Sequence, residues 1–130
     1  LKWSDGTDLT AKDFEYAWKR AAAPETGADY GYMFEVVDGY ADDALNVTAT
    51  DDKTLVVTLS NAVSYWNELL AFPTYFPVRE DVVSDEGWAT EAETYVCNGP
   101  YKIASWKHNS VITLEKNEDY ENVVLFNSKK

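Results

Sequence analysis

Apolar positions early in the chain fall on a helical period. Phe14, Ala17, Trp18 and Ala21 sit at i, i+3, i+4 and i+7, the stripe of one buried helix face. Lys12, Glu15, Lys19 and Arg20 fall largely outside that stripe. The helix ends are legible as well. Thr10 suits an N-cap, and Asp13 three residues on completes a capping-box pair. Leu9 before the cap and Phe14 four residues into the helix suit a hydrophobic staple. Pro24 stops the helix, because proline lacks the N–H the ladder needs and clashes with the turn before it. Upstream, residues 2–6 read as a strand end running into an Asp5-Gly6 turn.

The period then changes. Residues 30–37 and 41–45 predict one or two short helices inside a less regular stretch. In NVTATDDKTLVVTLS the apolar positions alternate, Val47 and Ala49 before Asp51-Asp52-Lys53, then Leu55, Val57 and Leu59. A period of two around a turn predicts a hairpin. A helix follows over residues 64–71, closed by Pro73. Pro73 and Pro77 bracket an irregular aromatic loop, and a short helix is expected over 79–84. After an Asn98-Gly99-Pro100 turn, YKIASWK and SVITLEK predict a second hairpin around His108-Asn109. Residues 117–130 read as an exit segment toward another part of a larger protein. The expected class is α+β, a mainly antiparallel sheet made of hairpins with helices packed on one face.

Bulk composition narrows the function. A chain of 130 residues is expected to form one domain, 1–130. Hydrophobic residues make up 45% and aromatic residues 15%, which excludes a disordered tail. The net charge of −12 argues against nucleic acid as a partner, since phosphates need Lys and Arg to displace counterions. It argues equally against docking on an anionic lipid surface. Solubility accounts for such a charge, and an acidic cleft for cationic ligands stays open beside that reading. The single cysteine, Cys97, allows no internal disulfide and no zinc site of several cysteines. No apolar run approaches the roughly 20 residues needed to span a bilayer.

Catalytic constellations are thin. His108 is the one imidazole, and it falls in a predicted turn, where a nucleophile is rarely packed beside it. Cys97 precedes a turn into a strand and reads as a small half-buried residue without a base to activate it. Asp42-Asp43 and Asp51-Asp52 are carboxylate pairs, yet neighbours in a strand or turn do not face each other across a substrate. TDLTAKD lacks the alternating oxygen ligands of a calcium loop. The six glycines form no phosphate-cradling motif, and the Asn46-Val47-Thr48 sequon is of a length that chance supplies. No enzyme, metal or cofactor is expected. What remains is an aromatic surplus in the less regular parts: Tyr30, Tyr32, Phe34, Tyr65, Trp66, Phe72, Tyr75 and Phe76. Most should be core. Those in loops could instead line a cleft, which is apolar with a few polar anchors.

One stretch carries a resemblance. LKWSDGTDLTAKDFEYAWKRAAAPETG resembles the signature of the family 5 extracellular solute-binding proteins, the oligopeptide-, dipeptide- and nickel-binding receptors of ABC importers. The matching positions are residues 2–6, residues 9–14 and Trp18. DYGYMFE resembles the family's Pro-Tyr-Ala-Tyr-Leu-Phe stretch, with Asp29 in place of the proline. ATDDKTLVVTLSNAVSYWNELLAFPTYFPV and NGPYKIASWKHNSVITLEKNEDY are similar to later parts of the family pattern, with Cys97 where relatives often carry a small residue. The resemblance implies a fragment of a three-lobed, periplasmic-binding-protein-like fold, the smaller second lobe inserted into the first. Leu1 and Lys130 would then lie near each other.

By the same resemblance the parent is extracellular or periplasmic and membrane-tethered, often as a lipoprotein. It closes around a peptide or other small solute and delivers it to an ABC permease. The partners of this lobe would be that solute and the remaining lobes, and the lobe would mainly support the cleft. Tyr30 and Tyr32, then Thr74 and Tyr75, are the positions the resemblance nominates at the cleft edge. Two competing readings stand beside it. One is a free-standing, non-catalytic binding or interaction module using surface aromatics, which would bind its ligand unaided. The other is a hydrolase, motivated only by abundant carboxylates.

Overall fold

The computed structural model describes residues 1–120. The expected proximity of the chain ends and most of the predicted exit segment lie outside the described residues. The chain divides into two compact units, Thr10–Ser84 and Leu1–Leu9 with the chain from Asp85 on.

The Thr10–Ser84 unit is built on helix α1, Ala11–Ala22. Its start follows the predicted box. The Asp13 carboxylate accepts from the Thr10 backbone N–H at 2.7 Å. Thr10 is extended, with φ −124° and ψ 171°, as an N-cap should be. Ala17 and Trp18 are buried, and Phe14 and Ala21 pack beside them. At the other end Ala23 N–H donates to Lys19 O at 3.0 Å, and Pro24 opens a 3-10 turn, Pro24–Thr26.

α1 packs on a hairpin, β1 Val47–Asp51 and β2 Thr54–Val57. The strands are antiparallel, with Val47 opposite Val57 and Ala49 opposite Leu55, so the alternating apolar positions share the face turned to α1. The turn is Asp52-Lys53, one residue tighter than the sequence pattern suggests, because Asp51 remains in β1. Its carboxylate accepts Lys53 N–H at 2.8 Å. The hairpin is prolonged by the stretch before it: Val37 bridges Leu59, and Asp38 N–H donates to Thr58 O at 2.9 Å.

The stretch read as one or two short helices is 3-10, Gly31–Val36 and Tyr40–Asp42. The helix expected over 64–71 shrinks to one turn, α2 Trp66–Leu69. Short helices are marginal without tertiary support, and Phe72-Pro73 turns the chain into another 3-10 turn, Pro73–Tyr75. α3, Glu80–Val83, lies within the predicted range. The core of this unit is Ala17, Trp18, Phe34, Val37, Leu45, Val47 and Tyr75. Side chains of the larger kind contribute about 1.5–3 kcal/mol each when fully buried.

In the other unit, residues 1–9 make the expected turn at Asp5-Gly6, with the strand end reduced to a single antiparallel bridge between Lys2 and Asp8; Leu9 N–H donates to Leu1 O at 3.0 Å and Trp3 N–H to Thr7 O at 2.9 Å. Ser4 and Cys97 hold each other by two bonds, Ser4 N–H to Cys97 O at 2.7 Å and Cys97 N–H to Ser4 Oγ at 3.1 Å. The second predicted hairpin forms as β3 Tyr101–Lys107 and β4 Val111–Lys116, with Asn109 at φ 59° in its turn. The class is therefore α+β with antiparallel pairing, and the strands among the described residues form two two-stranded sheets. Among the described residues no helix is long and apolar enough to cross a membrane.

Candidate functional site

The nominated residues all belong to the Thr10–Ser84 unit, and a relay of two hydrogen bonds, one buried and one part-buried, fixes the backbone that carries them. Trp18 on α1 donates its indole Nε1–H to the carbonyl of Tyr75 at 2.8 Å. Tyr75 in turn donates its hydroxyl to the carbonyl of Met33 at 2.7 Å. The first bond pins the proline-framed loop to α1. The second pins the 31–36 helix to that loop. Packing reinforces both, since the Tyr75 ring meets Trp18 edge-on at 5.1 Å and Phe34 at 4.5 Å, contacts that add about 0.5–1.5 kcal/mol each beyond area burial.

This relay decides the fate of the four nominated positions. Tyr75 is 1% exposed, and burial pushes its hydroxyl up to about 12, with a smaller contribution from Tyr65. Its side chain is committed to the core. Thr74 is half-buried in the same turn. Tyr30 and Tyr32 are the open pair, 50% and 54% exposed, their ring centroids 6.2 Å apart. Gly31 between them is buried. A Cβ there would stand 2.8 Å from the Ala21 carbonyl oxygen, so the absence of a side chain lets the segment lie against the end of α1.

Phe72 joins this edge and was not nominated from the sequence. Its ring meets Tyr30 edge-on at 5.2 Å, so Tyr30, Tyr32 and Phe72 make one half-open aromatic edge. The available signal was its place next to Pro73, which sends the chain back toward Tyr30. Phe34 and Trp66, also in the surplus, belong to or against the core, while Tyr65 and Phe76 are exposed.

A concavity of about 970 Å³ lies on the polar side of α1 between Tyr16, Arg20, Thr26 and Tyr40, and its lining includes none of Tyr30, Tyr32 and Phe72. Its charges are mixed, and Lys19 there is paired with Glu15. The residues weighed for catalysis do not converge. His108 stacks on Trp106 at 4.8 Å and lies 3.1 Å from Glu91 at the surface. Cys97 Sγ donates to Tyr101 O at 3.4 Å. Asp42 and Asp43 are exposed, and the Lys53 N–H beside Asp51 holds its carboxyl below the usual value. Among the described residues no three of His, Cys, Asp and Glu are gathered to hold a metal ion.

The open part of this edge is apolar ring surface with the hydroxyls of Tyr30 and Tyr32 on it. Residues 1–128 match the family model described as bacterial extracellular solute-binding proteins, family 5 middle. The chain is similar to the oligopeptide-binding protein OppA of Bacillus subtilis, 43% identical over 92% of this chain and 24% of the relative. It is also similar to the dipeptide-binding protein DppE of the same organism, 44% identical over 92% of this chain and 24% of the relative. Among solved structures, Listeria monocytogenes OppA bound to peptide superimposes with a TM-score of 0.87 at 37% identity, over 93% of this chain and 26% of that one. The chain thus spans about a quarter of the length of the relatives it matches.

Proposed function

The chain belongs to the bacterial extracellular solute-binding proteins of family 5, and we propose from that premise that its 130 residues are one lobe of a larger, three-lobed receptor. The receptor captures peptides or similar small solutes outside the cytoplasm and delivers them to an ABC permease. It is tethered to the cell envelope as a lipoprotein. The reading is carried by one observation: a family match through residues 1–128 to relatives named for binding oligopeptides and dipeptides. A free-standing module is not favoured by a match that runs through nearly the whole chain.

In this reading the lobe supports the cleft and offers it an edge. Tyr30 and Tyr32 present open ring faces to a bound solute, and Phe72 backs them. Flat aromatic rings give a large contact area at small entropic cost and tolerate many side chains, which suits a receptor for peptides of varied sequence. Thr74 adds a hydroxyl from the neighbouring turn. Tyr75 contributes from the core by holding Met33, and through it the turn that carries Tyr32. No cofactor, metal ion, nucleic acid or catalytic step enters.

The test uses the full-length parent. Native mass spectrometry with a mixture of synthetic di- to pentapeptides should detect one peptide bound per protein. Tyr32→Ala should weaken the tightest peptide about tenfold, the equivalent of about 1.4 kcal/mol. A parent that retains none of the peptides overturns the receptor reading. Unchanged affinity in Tyr32→Ala removes Tyr32 from the cleft. Peptide binding by the 130-residue chain as tight as by the parent points to the free-standing module instead.

A further inference from the structure

The β3–β4 hairpin sorts its side chains by face, and its apolar face is open. Directly paired residues share a face. The pairs Tyr101–Lys116, Ile103–Leu114 and Trp106–Ile112 put Tyr101, Ile103, Trp106, Ile112 and Leu114 together. Lys102–Glu115, Ser105–Thr113 and Lys107–Val111 make the opposite, mostly polar face. Plain alternation from Ile103 would have turned Ser105 to the apolar side and Trp106 away. The register shift between Ile103 and Ser105 is a bulge that restores Trp106 to it. An irregularity that preserves an apolar face implies that the face is used. Yet Tyr101 is 61% exposed, Ile112 50% and Leu114 57%, and Ile103 and Trp106 are only partly covered. A contiguous open apolar patch marks an interaction surface. A lone two-stranded hairpin is also marginal unless something packs on it.

We propose that this face is the seam on which the remaining chain of the parent receptor packs. The proposal rests on the reading of these residues as part of a longer protein. The relatives supply the occupant, since the chain covers 24% of Bacillus subtilis OppA and the rest of such a protein must meet it somewhere. A second copy suits the face poorly, because each copy carries a net charge of −12 and like-charged surfaces repel. A peptide solute suits it poorly too. The face holds five apolar side chains with Lys116 at its rim, and a solute site needs several convergent polar groups to orient its ligand.

The test is thiol labelling of the full-length parent carrying Cys97→Ser, with any other cysteine also replaced by serine, and either Ile112→Cys or Leu114→Cys. Both native variants should react at least ~100-fold more slowly than the same chains unfolded in urea, as buried positions that open only by local unfolding do. The protection should persist at concentrations where sedimentation shows a monomer. Reaction within about threefold of the unfolded rate at both positions overturns the seam, the threshold being near-zero opening free energy. Protection that appears only in a dimer, or only when tetra-alanine is added, also overturns it, in favour of a second copy or a solute. If one variant does not fold, the other carries the test. Peptide binding by the same preparations separates the two ideas. A protected face in a parent that binds no peptide leaves the seam standing and fails the receptor. An open face in a parent that binds peptide fails the seam alone.

Discussion

Glu15 sits where α1 passes β1, and both of its carboxylate oxygens are engaged. One accepts from the Lys19 ammonium. The other accepts from the backbone N–H of Ala49 at 2.7 Å, a helix-to-strand bond within the Thr10–Ser84 unit. Lys19 first, and then the Ala49 N–H, hold the carboxyl below its usual 4.5. A lowered folded value stabilises the fold above the unfolded value, and that stability fades as pH falls through the lowered one. Glu15→Gln should therefore cost about 1 kcal/mol at pH 7, and the cost should shrink once the pH drops below about 4. Urea midpoints of the 130-residue chain and the variant across that range check it; a gap that stays constant with pH would mean the charge is not involved. In the sequence Glu15 was legible only as a polar-face residue, because its partner Ala49 is distant in the chain and donates from the backbone. Tyr75 was opaque for a related reason. A proline-framed loop has no period to show which of its aromatics points inward, and two long-range bonds, from Trp18 and to Met33, decide that Tyr75 does.

At the scale of elements, the periodic ones were readable and the aperiodic ones were not. α1 and both hairpins follow from a period of 3.6 or 2 with caps or turns at their ends. The 3-10 segments have no such signature, and the shortening of α2 to Trp66–Leu69 reflects a helix too short to hold without help. The turn over residues 39–44 shows how much one backbone position can decide there. Gly39 has φ 79°, a left-handed conformation costly for any side chain. A Cβ would also stand 2.1 Å from the Ala44 carbonyl oxygen, which is backbone and cannot rotate away. Next to it, Asp38 N–H and Val37 tie this turn to Thr58 and Leu59, just past the end of β2. Gly39→Ala should thus open the loop and loosen that pairing, costing about 2 kcal/mol or more and lowering the Tm by about 5–10 °C. Differential scanning calorimetry reads it directly, and an unchanged Tm would mean the turn can take another path.

At the scale of the molecule, the two units are unequal in what holds each together. The Thr10–Ser84 unit owns the clustered core, with Trp18, Phe34 and Tyr75 packed together. In the other unit the described buried residues are Trp3, Leu9 and Asn117. Asn117 serves by bonding, through its side chain to Gly99 O at 2.9 Å and its N–H to Pro100 O at 2.9 Å, which anchors the base of the β3–β4 hairpin. The hairpin's apolar face adds nothing while it stays open. Opening free energies follow buried apolar contact, so amide exchange in the 130-residue chain should be slowest in α1, β1 and β2. It should be faster in β3 and β4 by two orders of magnitude or more, about 3 kcal/mol in opening free energy. In the full-length parent the difference should close, because the seam is then filled while the bonds within the hairpin stay the same. Hydrogen-exchange mass spectrometry on both proteins makes the comparison. Equal protection of the two hairpins in the 130-residue chain would mean that the β3–β4 face needs no further cover. A gap that persists in the parent would mean that no other part of the receptor supplies it.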